Sequence, residues 1–506
     1  MYTKKLLAVV SGLILSTAIY AQPSFSFSTP TKVERVLKLS GNNRTELENV
    51  LRHYAQARDS LKWKAACFLI ENMDIHFSEQ FYWETHEGKT VSFNELDYPD
   101  FRSAVAAFNR LSSQEHFHLK SKIIPDIQVI TASLLIENID LSFKLWNTPQ
   151  ASHLSFSEFC EYLLPYRSTC EPLEKWKPIY NKEFEADDDT NIQTAKEVAE
   201  RTGREVMGWY FVTYGIENKQ AEGMIAPSRL LFRKQGSCEN LSNLSVLAMR
   251  SQGVATTFDF TPHWATSTGR HYWNCIIDEK HVYQPFVGCG IGLFKPKREP
   301  GKVIRITYSR QPGTPATELS YQEIPEGFMR TTNFIDVTEK YWKCTDFAVN
   351  AHTNDKYIYA SVLNGSKWRP VYYAKRQNNK YIFRKMTCGV IYLPTVYSGK
   401  QSVPIAPPVL VHKDGKVETK NINSTRNISI FIPEKELYLH YRIGKKYTLY
   451  YWNGKWMKME TQTANTSKGL TFDNVPDNTI YQLIPEYSKG KERPFTIDGK
   501  GSICYW

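Results

Sequence analysis

One cysteine and one histidine of this chain stand in positions that suit nucleophilic chemistry. Cys238 follows Ser237, a residue type that caps helices, and precedes leucines at helical spacing, which predicts a helix that begins at the cysteine. A thiol in the first turn of a helix faces the positive end of the helix dipole, which favours the thiolate. His271 begins an apolar segment, residues 272–277, that is typical of a strand. We therefore expect the thiol and the imidazole to meet across a groove.

The sequence around these two residues resembles the transglutaminase-like family of papain-like cysteine enzymes. The matching pieces are G-x-C at residues 236–238, R-x-x-G-V at residues 250–254 and H-x-W-N at residues 271–274. The resemblance implies an α+β core. It also implies that Cys238 is a nucleophile and His271 a base, normally with an aspartate on the next strand to orient the histidine.

The expected aspartate is missing from its position. If residues 278–280 turn a hairpin, His271 pairs with Val287, and no shift by one residue places a carboxylate there. Gln284 could orient the imidazole only through a slipped register or a bulge. The sequence therefore predicts a Cys–His dyad without an orienting acid, which leaves open whether the chain is an enzyme.

Three further residues are candidates for supporting roles. His263 precedes the strand of His271, where it could line the cleft or assist an oxyanion, although a surface histidine fits equally. Trp273 fits core packing or a cleft wall better than a specific ligand contact. Arg167 lies in a polar segment with Glu161 and Glu171, where an Arg–Glu clasp between domains is favoured over a substrate contact.

The composition and the first residues predict an exported protein. Residues 1–21 combine two lysines with a short apolar run, as in the signal peptide of a secreted bacterial protein, and no later stretch reaches membrane-spanning length. We therefore expect a periplasmic or extracellular location. The net charge of +11 is spread along 506 residues without an arginine-rich run, which argues against nucleic-acid binding.

Nine cysteines are too few for a disulfide scaffold in a chain of this length, and their odd number leaves at least one thiol unpaired. Pairs 160–170 and 275–289 could close small loops. No C-x-x-C pair occurs, so neither a structural zinc site nor another cofactor is indicated.

The patterning along the chain predicts an α+β multidomain architecture. After the signal peptide we expect a helical N-terminal domain at 22–204, then the transglutaminase-like core at 205–330, with strands at 206–212 and 302–307. Two β-sandwich-like modules follow at 331–420 and 421–506. They carry a weak repeat, at 357–394 and 447–485, of strand, Asn-Gly turn, tryptophan and strand.

These expectations favour a secreted cysteine peptidase or amidase. Cys238 would attack a peptide, glycopeptide or cell-wall-like amide, His271 would protonate the leaving nitrogen, and water would hydrolyse the thioester. An acyltransferase that incorporates amines is one alternative. The other is a non-catalytic protein that keeps the fold and holds glycan or protein through its aromatic β-modules. The sequence does not indicate an oligomeric state.

Overall fold

The first part of the chain is mainly helical, because apolar residues recur there at helical spacing. The computed structural model describes residues 27–186, 194–213, 223–378, 380–436 and 438–506. Its helices are α1 (Thr31–Leu39), α2 (Arg44–Gln56), α3 (Ser60–Glu71), α4 (Phe101–Gln114), α5 (Ala132–Trp146), α6 (Phe156–Tyr162), α7 (Trp176–Glu183), α8 (Ala195–Trp209), α9 (Pro227–Arg233) and α10 (Cys238–Ser251). Buried side chains of α1, α2, α3, α5 and α6 form one core.

An antiparallel hairpin interrupts the helices, although the sequence pattern indicates only helices there. Its strands are β1 (Phe77–Thr85) and β2 (Phe117–Pro125), which pair along their whole lengths. The long connection between them contains α4. The hairpin and α4 border a cleft of about 610 Å³.

The predicted strand at 206–212 is wrong for most of its length. Helix α8 runs to Trp209, and the strand that follows is only β3 (Phe211–Val212), which pairs with β4 (Gln235–Gly236). The helix is favoured by a capping box, in which Thr194 and Glu197 satisfy each other's backbone N–H groups. Its buried residues, including Val206, recur at helical spacing.

A five-stranded antiparallel sheet forms the centre of the middle region. Its strands are β5 (Thr256–Thr261), β6 (His271–Ile277), β7 (Tyr283–Phe286), β8 (Ile304–Ile306) and β9 (Phe334–Asp336), in the order β7-β6-β5-β8-β9. Helix α10 packs against β5 and β6 through buried apolar residues such as Val246 and Phe258. The predicted strand at 302–307 corresponds to β8.

The rest of the chain consists of antiparallel sheets, so the predicted α+β class is confirmed. The strands are β10 (Cys344–Val349), β11 (Tyr357–Asn364), β12 (Lys367–Gln377), β13 (Lys380–Thr387), β14 (Val390–Ser398), β15 (Gln401–Pro404), β16 (Val409–Val411), β17 (Val417–Thr419), β18 (Asn423–Pro433), β19 (Lys446–Trp452), β20 (Trp456–Thr463), β21 (Gly469–Asp477), β22 (Tyr481–Pro485), β23 (Phe495–Ile497) and β24 (Ile503–Tyr505). One sheet has the order β10-β13-β12-β11-β14-β16-β17 and another β20-β19-β22-β23-β24.

The weak sequence repeat has a structural counterpart. In the first copy β11 pairs with β12 and β14, and in the second β19 pairs with β20 and β22. Each first hairpin carries a register shift, between Ala360 and Ser361 in one copy and between Leu449 and Tyr450 in the other. When the two Asn-Gly turns are aligned, these shifts fall at the same position. The copies therefore share a bulge as well as a strand order.

Candidate active site

Cys238 lies at the start of α10, as the capping pattern predicts. The hydroxyl of Ser237 accepts a hydrogen bond from the backbone N–H of Asn240 at 3.3 Å, which defines the first turn. The half-buried thiol lies against strand β6. It accepts a hydrogen bond from the backbone N–H of Tyr272, the residue after His271. Burial raises the pKa of Cys238, and the Tyr272 N–H opposes that rise by stabilising the thiolate.

An ion pair that sequence reasoning missed borders the thiol. Glu239 follows Cys238 in the helix and accepts a hydrogen bond from Arg270 at 2.9 Å, so it joins α10 to the start of β6. The Arg270 guanidinium also lies 5.4 Å from the ring centre of Tyr272. After burial and the Tyr272 N–H, these two charges act on the pKa of Cys238 in opposite directions. The Glu239 carboxylate raises it and the Arg270 guanidinium lowers it.

His271 packs among aromatic rings. Its ring centre lies 5.9 Å from that of Trp273, 6.0 Å from that of Phe294 and 6.1 Å from that of Trp264. The amide of Asn274 donates to the Ser242 carbonyl of α10 at 2.9 Å, so alternation along β6 places the odd-numbered side chains on the face away from the helix. Burial lowers the pKa of His271, and its ring makes no hydrogen bond within the described part of the chain. Catalytic pairing of Cys238 with His271 stays a prediction.

Strand β7 pairs with β6 in a register that is shifted by two residues from the predicted one. Ile277 pairs with Tyr283 instead of position 281, and the β6–β7 ladder ends at Asn274 opposite Phe286. Val287 is therefore not opposite His271; it lies beyond the ladder with 40% of its surface exposed. Gln284 donates its amide to Asp278 at 2.8 Å, so it is engaged at the far end of β6.

His263 lies in the loop that leads into β6. Burial lowers its pKa to about 4, and its buried Nδ1 has no hydrogen-bond partner in the described structure. This loop is held by Asn364, at the Asn-Gly turn of the first β-module. The Asn364 amide donates to the carbonyls of Trp264, Ser267 and Gly269 at 2.9–3.0 Å. The β-module therefore helps to fix the segment that presents His271.

Trp273 is fully buried, which supports core packing for this residue. Opposite it on the neighbouring strand lies Asp259, an acid on the same face of the sheet as His271. Asp259 receives two hydrogen bonds from Arg305, at 2.8 and 2.7 Å, and one from the Tyr341 hydroxyl at 2.5 Å. Its oxygens are thus committed to those partners, and it does not supply the missing orienting acid.

Arg167 forms a buried clasp, but its acidic partner is Asp126 rather than a glutamate. Its guanidinium donates to both Asp126 oxygens at 2.6 Å, and both side chains are at most 1% exposed. The Arg167 pKa is raised, because the attraction of Asp126 outweighs the cost of burial. Glu171 instead accepts backbone N–H groups of Ser168 and Thr169. The buried ion pair supports a structural role for Arg167.

In the part of the chain that the structure describes, the cysteines and the acidic residues do not assemble into a further centre. All nine cysteines are free thiols, so neither loop-closing pair suggested by the sequence is a disulfide in this structure. Among the described residues, no group of three His, Cys, Asp or Glu side chains is arranged to hold a metal ion. Within the same residues, no helix is long and apolar enough to cross a membrane.

Comparison with known proteins agrees with the arrangement of α10 and the central sheet. Residues 188–286 match the family model described as the transglutaminase-like superfamily. The chain therefore contains a transglutaminase-like domain. The matched residues include Cys238 and His271, so the predicted resemblance is confirmed.

Other comparisons add little to the transglutaminase-like domain. The crystal structure of red sea bream transglutaminase aligns with 85% of this chain and 78% of its own, at 10% sequence identity and a TM-score of 0.21. A score that low supports no argument about function. No curated protein matches the chain.

Proposed function

We propose that this protein is an exported cysteine hydrolase of peptide or amide bonds, with Cys238 as nucleophile and His271 as base. The observation that carries the proposal is the position of the thiol. It stands at the N-terminus of α10 and accepts the N–H of Tyr272, directly beside His271, within a transglutaminase-like domain. A helix N-terminus and a backbone N–H both stabilise a thiolate.

The proposed reaction is acyl transfer to water. The Cys238 thiolate attacks the carbonyl carbon, the carbon–nitrogen bond breaks, and the leaving nitrogen takes a proton from His271. Water then attacks the thioester, His271 accepts its proton, and the acid leaves as the thiolate is restored. A base must come within about 3 Å of the proton that it moves, so His271 has to turn from its aromatic neighbours when substrate binds.

The proposal is tested with purified protein and a mixture of unlabelled peptides, followed by mass spectrometry of the products. Cys238→Ala should abolish hydrolysis, and His271→Ala should lower it by about 10²- to 10⁴-fold. Cys289→Ala removes an exposed thiol and should have no effect. A fluorescent primary amine in the reaction distinguishes hydrolysis from amine incorporation. Turnover that survives Cys238→Ala would exclude this mechanism.

The second candidate is a binding protein that keeps the fold without turnover. The free imidazole of His271, with neither an acid nor the thiol as a partner in the described structure, favours it. Its aromatic β-modules would then hold glycan or protein. It predicts no turnover of any peptide and an unchanged binding affinity in Cys238→Ala.

A further inference from the structure

A cleft of about 610 Å³ has no part in the chemistry proposed for Cys238. It lies between the hairpin β1–β2, helix α4 and the segment 224–235 that leads to α10. Met224 lines the cleft and belongs to a buried cluster with Val246 and Phe258, against which Tyr272 also packs. Gln235 lines the cleft only three residues before Cys238. The cleft thus reaches the segment that leads into the candidate active site.

Cys170 links the cleft with the region of the thiol. Its carbonyl accepts the Glu79 N–H at 3.0 Å, and its side chain packs against the cluster of Met224, Val246 and Phe258. Its pKa is raised to about 12, chiefly by burial, with contributions from Glu171, Glu239 and Glu79 that raise it and from Arg167 that lowers it. Glu79 in the cleft and Glu239 beside the thiol therefore act on the same sulfur.

The edge of strand β1 that borders the cleft contains an unused backbone pair. The N–H of Glu79 donates to the Cys170 carbonyl at 3.0 Å, and the carbonyl of Trp83 accepts from Val91 at 2.8 Å. Odd-numbered residues of β1 therefore direct their backbone groups away from β2. Phe81, between these two positions, has no partner for its N–H or its carbonyl in the described structure. All five residues 79–83 line the cleft.

Aromatic side chains form one wall of the cleft, which also contains an acid without a partner in the described structure. Half-buried rings cluster on the wall: the ring centre of Phe108 lies 5.0 Å from that of Trp83 and 5.1 Å from that of Phe93. The Glu79 carboxylate has no ion pair or hydrogen bond in the described structure. By contrast, the cleft acid Glu95 is neutralised by Arg233, with both its oxygens at 2.8–2.9 Å from the guanidinium Nε.

We propose that the cleft binds an extended peptide, one residue of which exchanges two backbone hydrogen bonds with Phe81. That residue places a bulky apolar side chain among the rings, and a neighbouring basic side chain pairs with Glu79. An unpaired strand edge recognises main chain in any sequence, whereas the rings and the acid select side chains. The inference rests on the proposed function, since it supplies the substrate class for Cys238.

The test measures binding to full-length Cys238→Ala protein, so that it does not depend on turnover. The probe is acetyl-Lys-Phe-Gly-Gly amide, compared by calorimetry with versions that carry N-methyl-Phe, Ala for Phe, or Glu for Lys. Loss of one backbone hydrogen bond with added steric bulk should weaken binding by at least about tenfold. Loss of the ring should have a similar effect.

Variants of the protein test the proposed pairing of Glu79 with a basic side chain of the peptide. Glu79→Gln should weaken binding of the Lys peptide by about two- to fivefold and leave the Glu peptide unchanged or improved. Glu84→Gln, on the same strand, is the matched control and should have no effect. Equal affinity for the N-methylated peptide would overturn the proposed backbone hydrogen bonds to Phe81. If no peptide binds at all, the cleft is not a peptide-binding site. Failure here together with Cys238-dependent turnover would leave the proposed function standing.

Discussion

At the scale of single residues, the reactivity of Cys238 depends on opposing influences that its neighbours supply. Burial raises the thiol pKa most, and the Tyr272 N–H lowers it. The helix N-terminus alone would have predicted a reactive thiolate. The structure shows that the Tyr272 N–H and the Arg270 guanidinium offset the effects of burial and of Glu239, both of which disfavour the Cys238 thiolate.

The Glu239–Arg270 pair gives a test of this balance. Glu239→Gln removes the carboxylate that raises the pKa of Cys238, so alkylation by iodoacetamide at neutral pH should become severalfold faster. Arg270→Gln removes the cation that lowers the pKa, so alkylation should become slower. The rate is followed against pH on the peptide that contains Cys238.

The exposed pair Glu339–Lys385 provides the control for this experiment. Glu339→Gln alters a carboxylate remote from the thiol in sequence and should leave the alkylation profile unchanged. Shifts in the same direction for Glu239→Gln and Arg270→Gln would show that the pair acts by holding α10 to β6 rather than by charge.

Residue types and spacing were enough to predict Cys238 and His271, but not what surrounds them. Arg270 and Glu239 each adjoin one of the two residues, yet nothing in the sequence pairs them. Asp126, the partner of Arg167, lies 41 positions away from it. Contacts over such separations depend on how helices and strands pack, which local patterning does not determine.

At the scale of elements, the turn after β6 explains why the predicted register was wrong. A tight hairpin at 278–280 would pair positions 277 and 281. The structure instead has a five-residue turn, in which the Asp278 carboxylate accepts the N–H groups of Lys280 and Val282. His281 adopts a left-handed conformation with φ of 57°. A histidine in that conformation is uncommon and gives no glycine signal in the sequence.

Helix α8 offers a matched pair of glycines. Gly203 faces the loop after β7 so closely that a Cβ would lie 2.6 Å from the Gly288 carbonyl oxygen, whereas at Gly208 nothing lies within 4 Å. Gly203→Ala should lower the free energy of unfolding by about 1–3 kcal/mol, because the helix or the loop must move. Gly208→Ala should raise it by about 0.5–1 kcal/mol through helix propensity.

Chemical denaturation of the two glycine variants measures both effects. Both variants replace glycine by alanine in the same helix, so the contribution of helix propensity to the free energy of unfolding is common to them. The difference between the variants reports the close contact at Gly203. Stabilisation by Gly203→Ala would mean that the loop yields easily and that close packing is not why glycine occupies this position.

At the scale of the whole molecule, the N-terminal helices hold the segment that follows β8. Glu161 accepts the backbone N–H groups of Tyr308 and Ser309, and the Tyr308 hydroxyl donates to Leu69 at 2.9 Å. His76 stacks on Tyr308 at 4.3 Å and donates from Nε2 to its carbonyl at 2.9 Å. The sequence indicated the helical region and the core, but gave no sign that one residue of the core would anchor so many helical contacts.

His76 makes this junction sensitive to acid. Its pKa is lowered to about 3, chiefly by burial and also by Arg167 and Arg310, while the Tyr308 carbonyl and Asp74 oppose the shift. Below the ordinary histidine pKa of about 6.5 the unfolded chain binds a proton that the folded chain does not bind. The free energy of unfolding should therefore fall as the pH drops from about 6.5 toward about 3, by roughly 3 kcal/mol at about pH 4.5.

The predicted loss of stability at low pH is tested with His76→Gln. This variant keeps an amide donor for the Tyr308 carbonyl but cannot take up a proton between about pH 6.5 and about pH 3. Its melting temperature should fall less than that of the wild-type protein between neutral pH and about pH 4.5. His352→Gln replaces an exposed histidine and should retain the wild-type slope. If His76→Gln shows the same loss on acidification as His352→Gln, protonation of other groups must govern the acid lability of the junction. The contact between the helices and the core would then be insensitive to the charge of His76.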